Sequence, residues 1–184
     1  KTNDRILNSP SIYKDMILIP SYDGFVYAVD KREGHQIWKF RTGAEMIAVA
    51  TVSEGSVYVT ARNGFLYVID ADNGTEKMSK NFGCEMSSQP VIHEEKVFVT
   101  AQDGNLYCLK KKDLTEIWRF STGDELFNML SMPIKDNKIL FASMDSYLYC
   151  IDINSGREVW RFRTGKYGNT TIASIKDGYI YYGS

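Results

Sequence analysis

Side chains suited to catalysis or metal binding are few and widely spaced in this sequence. The two histidines, His35 and His93, fall in predicted turns, which favours solvated surface residues over a dyad or a metal pair. The three cysteines, Cys84, Cys108 and Cys150, form neither a C-x-x-C motif nor an adjacent pair. The sequence also has no G-x-x-x-x-G-K-[ST] phosphate loop and no H-E-x-x-H motif. These observations predict a non-enzyme, whose function lies in binding.

Composition limits the partners that overall charge could recruit. The chain has 184 residues, of which 22 are basic and 23 acidic apart from histidine, giving a net charge of −1. A balanced charge creates no long-range field for nucleic acid or an anionic membrane. There is no continuous apolar run of about 18 residues, so no transmembrane helix is predicted. We therefore expect no nucleic-acid partner and no membrane insertion.

A repeat of about 40 residues organises the whole chain. The stretch DGFVYAVDKREGHQIWKFRTG at 23–43 returns as NGFLYVIDADNGTEKMSKNFG, DGNLYCLKKKDLTEIWRFSTG and DSYLYCIDINSGREVWRFRTG. The repeated tyrosine illustrates the spacing, because successive copies lie 40, 40 and 42 residues apart at Tyr27, Tyr67, Tyr107 and Tyr149. A fixed period of this size is typical of solenoids, propellers and arrays.

Each repeat predicts four short strands. Asp23-Gly24 lies between two apolar runs and predicts a β-hairpin with a two-residue turn. Segments 9–13 and 36–41 add one strand on either side, and four strands per repeat is the pattern of a β-propeller blade. The runs are apolar on both faces, so each blade needs a neighbour on both sides. We predict an all-β chain of four-stranded antiparallel blades.

The repeat predicts a single partial propeller over 1–184. Its blades span about 6–43, 44–83, 84–123 and 124–165, and a half-blade covers 166–184, so about four and a half blades are present. Because a half-blade would expose an unpaired apolar strand, we expect this chain to form part of a larger ring. The remaining blades would come from the same polypeptide or from another one.

The repeat motif resembles that of a known family. Ala28-Val-Asp-Lys-Arg-Glu-Gly-His-Gln-Ile-Trp38 and Cys150-Ile-Asp-Ile-Asn-Ser-Gly-Arg-Glu-Val-Trp160 resemble the A-x-D-x-x-T-G-x-x-x-W repeat of pyrroloquinoline-quinone (PQQ) enzymes and PQQ-like propellers. This resemblance implies a ring of about seven or eight blades. It also implies structural roles for two sets of residues: tryptophans that pack between blades, Trp38, Trp118 and Trp160, and aspartates that set the turn before the outer strand, Asp30, Asp70 and Asp152.

Two functions are compatible with this resemblance. The first is a non-catalytic binding or scaffold module, similar to outer-membrane assembly lipoproteins and sensor ectodomains with PQQ-like propellers. The alternative is a fragment of a PQQ-dependent dehydrogenase, or a propeller attached to a catalytic domain. The vicinal disulfide, calcium ligands and catalytic aspartate of the quinoprotein enzymes have no counterpart here. We therefore predict no cofactor, with PQQ and calcium expected only under the alternative.

The candidate binding residues vary between otherwise similar repeats. The position just before each hairpin turn is Tyr22, Arg62, Gln102 and Met144, and inter-blade loops on the same face of a propeller contain Glu45, Glu85, Phe127 and Tyr167. A mixed polar and aromatic surface suits a protein or peptide partner. Solvated loop tips without a ligand remain the alternative. The family resemblance favours an extracytoplasmic location, whereas unpaired cysteines favour a reducing compartment.

Overall fold

The computed structural model describes residues 2–126, 132–165, 174–177 and 179–181. The chain divides into two compact units, Lys1–Pro90 and Val91–Ser184. Within the described ranges, the secondary structure consists of strands and turns. No helix in these ranges is long and apolar enough to cross a membrane. The prediction of an all-β chain is confirmed.

The first unit contains two four-stranded antiparallel sheets whose strands follow one another in chain order. Blade one consists of β1 Ser11–Tyr13, β2 Met16–Pro20, β3 Phe25–Asp30 and β4 Gln36–Arg41. Blade two consists of β5 Thr51–Ser53, β6 Ser56–Thr60, β7 Phe65–Asp70 and β8 Glu76–Asn81.

The second unit repeats this arrangement. Blade three consists of β9 Val91–His93, β10 Lys96–Thr100, β11 Asn105–Lys110 and β12 Glu116–Ser121. Blade four consists of β13 Ile134–Lys135, β14 Lys138–Ala142, β15 Tyr147–Asp152 and β16 Glu158–Arg163. In the predicted half-blade, β17 Ser174–Lys176 pairs antiparallel with β18 Tyr179–Tyr181.

The two middle strands of each blade carry the core. Sequences such as SVYVT in β6 and FLYVID in β7 are rich in β-branched and aromatic residues, which suit a pleated surface covered on both sides. In the first unit, Leu18 and Ala28 of blade one pack with Val59 and Ile69 of blade two in one apolar cluster. This packing is the blade-to-blade contact that the doubly apolar strands require.

The outer strand of each blade contains a β-bulge. In blade one, Trp38 pairs with Ala28 and Gln36 pairs with Val29, so the register shifts around Ile37. The same shift recurs in the other three blades. A bulge bends its strand and re-aims the neighbouring side chains. Ile37 is 43% exposed, whereas Trp38, the next residue of the same outer strand, is only 7% exposed.

The first hairpin turn is longer than predicted. Pro20 pairs with Val26, and the intervening turn is closed by Gly24 N–H donating to the Ser21 carbonyl at 3.3 Å. The two-residue reading was wrong because Asp23 and Gly24 form only the second half of this turn. Gly24 supplies a φ of 82°, which glycine adopts without a Cβ penalty.

Candidate functional site

The repeated tryptophans join blades within each unit. The Trp38 indole N–H donates to the Ala71 carbonyl of blade two at 3.1 Å, and the Trp118 N–H donates to the Ile153 carbonyl of blade four at 3.2 Å. Trp160 packs against Ala142 and Leu148. The Trp38 and Trp118 bonds join adjacent blades, whereas these Trp160 contacts lie within blade four.

A glycine beneath the Trp38 indole and another beneath the Trp118 indole make the close approach possible. A Cβ added at Gly74 would lie 2.7 Å from the Trp38 ring, and one at Gly156 would lie 2.6 Å from the Trp118 ring. Both distances are shorter than any real Cβ contact. These glycines therefore serve two purposes, since they also adopt positive φ angles of 75° and 70°.

The repeated aspartates cap the turn before the outer strand. Asp30 accepts hydrogen bonds from the backbone N–H groups of Arg32 at 2.8 Å and Glu33 at 2.7 Å. The Glu33 bond and then the Arg32 bond lower the pKa of Asp30 below its usual value. Asp70 and Asp152 each accept two equivalent backbone bonds. All three carboxylates are therefore engaged by backbone N–H groups of their own turns.

The candidate turn residues Tyr22 and Arg62 meet in the first unit. The Tyr22 backbone N–H donates to the Arg5 carbonyl, and the Arg62 N–H donates to the Glu45 carbonyl, both at 3.0 Å. Each bond joins a hairpin turn to the loop before its blade, and together the two bonds place the Tyr22 and Arg62 side chains on one face of the unit. The Arg62 guanidinium donates to the Tyr22 hydroxyl at 3.3 Å.

Two glutamates bracket Arg62. Its Nη1 donates to Glu45 Oε2 at 2.7 Å, and its Nε donates to Glu85 Oε2 at 2.9 Å. The side chains remain 36–42% exposed, so solvent screens these ion pairs. The Glu85 bond and then the Glu45 bond raise the pKa of Arg62 above its ordinary value. The cluster is a fixed charged surface that solvent still reaches.

This cluster lines a pocket of about 560 Å³ in the first unit. The lining contains three carboxylates and one guanidinium, so its charge is net negative. Tyr22 adds an aromatic wall, and the Arg5 guanidinium lies 4.4 Å from the centroid of its ring. The full lining is Tyr22, Asp23, Gly24, Gly43, Ala44, Glu45, Arg62, Asn63 and Glu85.

The remaining candidate residues belong to the second unit. The Met144 N–H donates to the Glu125 carbonyl at 3.2 Å, which is the same turn-to-loop bond that Arg62 makes with Glu45. Gln102 occupies the corresponding turn of blade three, between β10 and β11. Phe127 and Tyr167 lie outside the described residues.

Sequence reasoning named these turns and loops but did not predict the ion cluster. Glu45 and Glu85 occupy the same repeat position 40 residues apart, and Arg62 lies between them in the chain. That spacing was the available signal. To predict the cluster from this spacing, one would have to know that the hairpin turn of blade two contacts two loops, the one before its own blade and the one before the next blade.

Other reactive side chains do not assemble into a site. Among the described residues, no group of three His, Cys, Asp or Glu side chains could hold a metal ion. His93 is the last residue of β9 and does not lie in a turn as predicted. His35 is exposed on the surface, where its Nδ1 lies 3.4 Å from Glu33 Oε2. Cys108 is fully buried, and this burial raises the pKa of its thiol to about 12.

Comparison with solved structures establishes the fold class. The chain is similar to BamB from Moraxella catarrhalis with a TM-score of 0.83, at 16% sequence identity and over 95% of this chain. It is also similar to the computationally designed Ika8 protein, with a TM-score of 0.80, 15% identity and the same coverage. Together with the four-stranded blades, these likenesses define a β-propeller fold.

The sequence comparison then identifies the family. Residues 22–177 match the PQQ_2 family model, described as outer membrane protein assembly factor BamB, and the chain belongs to this family. No curated protein matches the sequence. The chain spans 57% of the length of the Moraxella BamB chain and 54% of the Ika8 chain.

Proposed function

We propose that this chain is a non-catalytic, cofactor-free scaffold module that binds a protein or peptide through its hairpin-turn face. The observation that carries the proposal is the pocket around Arg62, where residues that vary between repeats converge. Packing does not require these side chains, because the blades fold equally with Tyr, Arg, Gln or Met at this position. Exposed residues freed from packing are available for recognition.

The charge of the pocket supports a partner segment with a basic side chain. Glu45, Glu85 and Asp23 outnumber Arg62, and both glutamates are about 40% exposed. A lysine or arginine of a partner would pair with these carboxylates while Tyr22 contacts its aliphatic stem. Arg62 would exclude strongly cationic segments by repulsion and so contribute to specificity.

The family description supports a cellular location for this binding. Because the family is described as an outer membrane protein assembly factor, we propose an extracytoplasmic role in which the module engages proteins being assembled. The proposal concerns the described turns and loops of this chain, and the rest of a longer ring would add further contacts.

A photo-cross-linking scan tests the proposed face. The photoreactive residue p-benzoylphenylalanine replaces Tyr22, Gln102 or Met144 in separate variants expressed in the source cells. The controls carry it at Lys14, Glu94 or Asp136, which lie in the β1–β2, β9–β10 and β13–β14 turns of the same blades.

We expect protein adducts at the hairpin-turn positions and none at the controls. Each test position shares a blade with its control, and only variants whose circular dichroism spectrum and unfolding midpoint match those of the wild-type chain are compared. Adducts of equal yield at both sets, or at the controls alone, would refute the proposed face.

A further inference from the structure

The turn before the outer strand of blade three has a lysine where the other blades have a capping aspartate. In those blades, Oδ1 of the aspartate accepts the backbone N–H groups of the residues two and three positions further on, at 2.7–3.1 Å. The capping residues are Asp30, Asp70 and Asp152. Blade three has Lys110 at the equivalent position, and a lysine side chain provides no acceptor.

The turn of blade three nevertheless keeps the backbone geometry of the others. The Lys110 N–H donates to the Thr115 carbonyl at 2.8 Å, and the Leu114 N–H donates to the Lys110 carbonyl at 2.9 Å. The two equivalent bonds of blade two also measure 2.8 and 2.9 Å. The N–H groups at the second and third positions of this turn are therefore oriented as they are where an aspartate accepts them.

Those two N–H groups, of Lys112 and Asp113, have no hydrogen-bond acceptor within the described part of the chain. Asp113 does not take over the role of the capping aspartate, because its Oδ1 accepts the N–H of Thr115 at 3.0 Å. In blade two, Asn73 accepts the Thr75 N–H at 2.9 Å in the same way while the aspartate caps the turn. Adjacent N–H groups that converge on one acceptor position form an anion-binding nest. We call this pair the blade-three nest.

A cross-strand pair of lysines adjoins the blade-three nest. Lys96 lies directly opposite Lys110 in the pairing of β10 with β11. Like charges at directly opposed positions repel each other and destabilise a sheet. The Lys96 ammonium donates to the neutral amide of Asn154 at 2.7 Å, which leaves its charge unbalanced. In blade four the equivalent pair is Lys138 and Asp152, whose charges are opposite. A bound anion would supply the negative charge that the aspartate supplies there.

Two lysines place positive charge at the turn itself. The side chains of Lys110 and Lys112 are exposed, and neither forms an ion pair with a described residue. Hydrogen bonds from Thr115 lower the pKa of Asp113, and the charges of Lys112 and Lys110 lower it further. The lysine charges therefore act at the residue that carries one of the nest N–H groups.

We propose that the β11–β12 turn of blade three binds a phosphate-type oxyanion, either free phosphate or a small phosphate monoester. One oxygen bridges the N–H groups of Lys112 and Asp113, as an aspartate Oδ1 does in the other three blades. The remaining oxygens pair with the ammonium groups of Lys110, Lys112 and Lys96. A phosphate suits this arrangement better than a monocarboxylate, because it has more oxygens and more charge to offer the lysines. The site lies at the end of β11 opposite its hairpin turn, so the inference goes beyond the function proposed for the pocket around Arg62.

Amide ¹H–¹⁵N NMR of the full chain tests this proposal. Inorganic phosphate, methyl phosphate and acetate are titrated separately at constant ionic strength, which sodium chloride maintains. The amides of Lys112 and Asp113 report on the nest, and those of Arg32 and Glu33 serve as internal controls because Asp30 caps them.

We expect saturable phosphate shifts at Lys112 and Asp113 and none at the two control amides. Acetate should bind about tenfold more weakly or less, since it has fewer oxygens for the lysines. The tighter of the two phosphate compounds identifies the source of the oxyanion, free phosphate or a monoester.

Two variants at Lys110 separate the nest from the lysine charge. Lys110→Asn and Lys110→Ala each remove one positive charge, but only asparagine has a side-chain oxygen that can cap the two N–H groups. The Kd for phosphate should be about tenfold or more higher for Lys110→Asn than for Lys110→Ala. Circular dichroism spectra and unfolding midpoints verify that both variants fold.

Four results would overturn the proposal. They are the absence of saturable shifts at Lys112 and Asp113, equal shifts at Arg32 and Glu33, acetate binding as tight as that of phosphate, and equal Kd values for the two Lys110 variants. The wild-type chain decides the first three of these without any substitution.

Discussion

The two units agree at their blade interfaces and differ at their hairpin turns. Trp38 and Trp118 make the same indole bond, at 3.1 and 3.2 Å, over equivalent glycines. At the turns, Arg62 of the first unit is held by two glutamates, whereas the equivalent residue in blade four is Met144. Packing restricts the side chain between blades to large apolar residues, Trp in three blades and Met78 in blade two, and it leaves the turn position free to vary.

The turn-to-loop backbone bond persists despite this variation. Arg62 and Met144 both donate their N–H to the loop residue of their own blade, at 3.0 and 3.2 Å. The scaffold therefore presents different side chains from the same backbone position. This separation of scaffold from presented surface leads to four predictions, beginning with the one of largest expected effect.

Replacing an interface tryptophan should cause the largest loss of stability. Trp38→Ala should lower the free energy of unfolding by about 3–5 kcal/mol, the usual range for a buried aromatic side chain. Trp118→Ala should fall near the lower end, because Trp118 is only partly buried. Urea denaturation of both variants measures the two losses. An unchanged unfolding midpoint for either variant would contradict its structural role.

Alanine at Gly74, which lies against Trp38, should lower the free energy of unfolding more than alanine at Gly34, where a Cβ would meet no atom within 4 Å. Gly34→Ala should lose about 1–2 kcal/mol, the cost of placing a Cβ in the left-handed region. Gly74→Ala should lose about 1–3 kcal/mol more, because its Cβ would overlap the Trp38 ring. Denaturant midpoints compare the pair directly. Equal losses would mean that the indole does not need the close approach.

High pH should destabilise the blades through a buried tyrosine. Burial, together with a 2.8 Å hydrogen bond to Asp23, raises the pKa of Tyr27 from 10.0 to about 12. Since the folded state keeps its proton at a pH where the unfolded state loses it, this contribution is complete below pH 10 and is lost as pH rises toward 12.

Tyr27→Phe separates this titration from other alkaline effects. The variant should be less stable than wild type at about pH 8 and should lose less stability on going to about pH 11, because phenylalanine does not titrate. Unfolding free energies at the two pH values provide the measurement. Parallel losses in the two proteins would show that Tyr27 does not contribute.

Exchanging the turn residue should have the smallest effect on stability. Arg62→Met gives blade two the residue of blade four and removes two solvent-exposed ion pairs. Such pairs contribute about 0–1 kcal/mol, so the unfolding free energy should change by no more than about 1 kcal/mol. A loss of about 3 kcal/mol would indicate that the cluster supports the fold.

The repeat made the blades predictable, because period, turn residues and apolar strands all indicate the same four-stranded unit. The sequence indicated only one of the two reasons for glycine at position 74. It indicated the positive φ, but it could not indicate the close contact with Trp38, because that contact joins residues of different blades. The length of the first turn was misread because Asp-Gly alone does not define where pairing begins.

Blade three shows why motif residues are not strict requirements. Lys110 and Leu114 replace the usual aspartate and glycine, yet the Leu114 N–H donates to the Lys110 carbonyl at 2.9 Å, the same distance as between Gly34 and Asp30. Asp113 accepts the Thr115 N–H at 3.0 Å and caps this turn from another position. A local substitute of this kind is difficult to identify from spacing alone.

The most direct test of the separation between scaffold and binding surface is the affinity of the cross-linked partner for three proteins. These are wild type, Arg62→Met and Lys14→Ala, the last of which removes an exposed 2.7 Å ion pair with Asp72 away from the proposed face. Because Arg62→Met frees Glu45 and Glu85 and removes a like charge, we expect it to lower Kd for a basic partner segment by about tenfold or more, corresponding to about 1.4 kcal/mol, with Lys14→Ala unchanged. Equal affinities for all three proteins, or a loss confined to Lys14→Ala, would contradict the account.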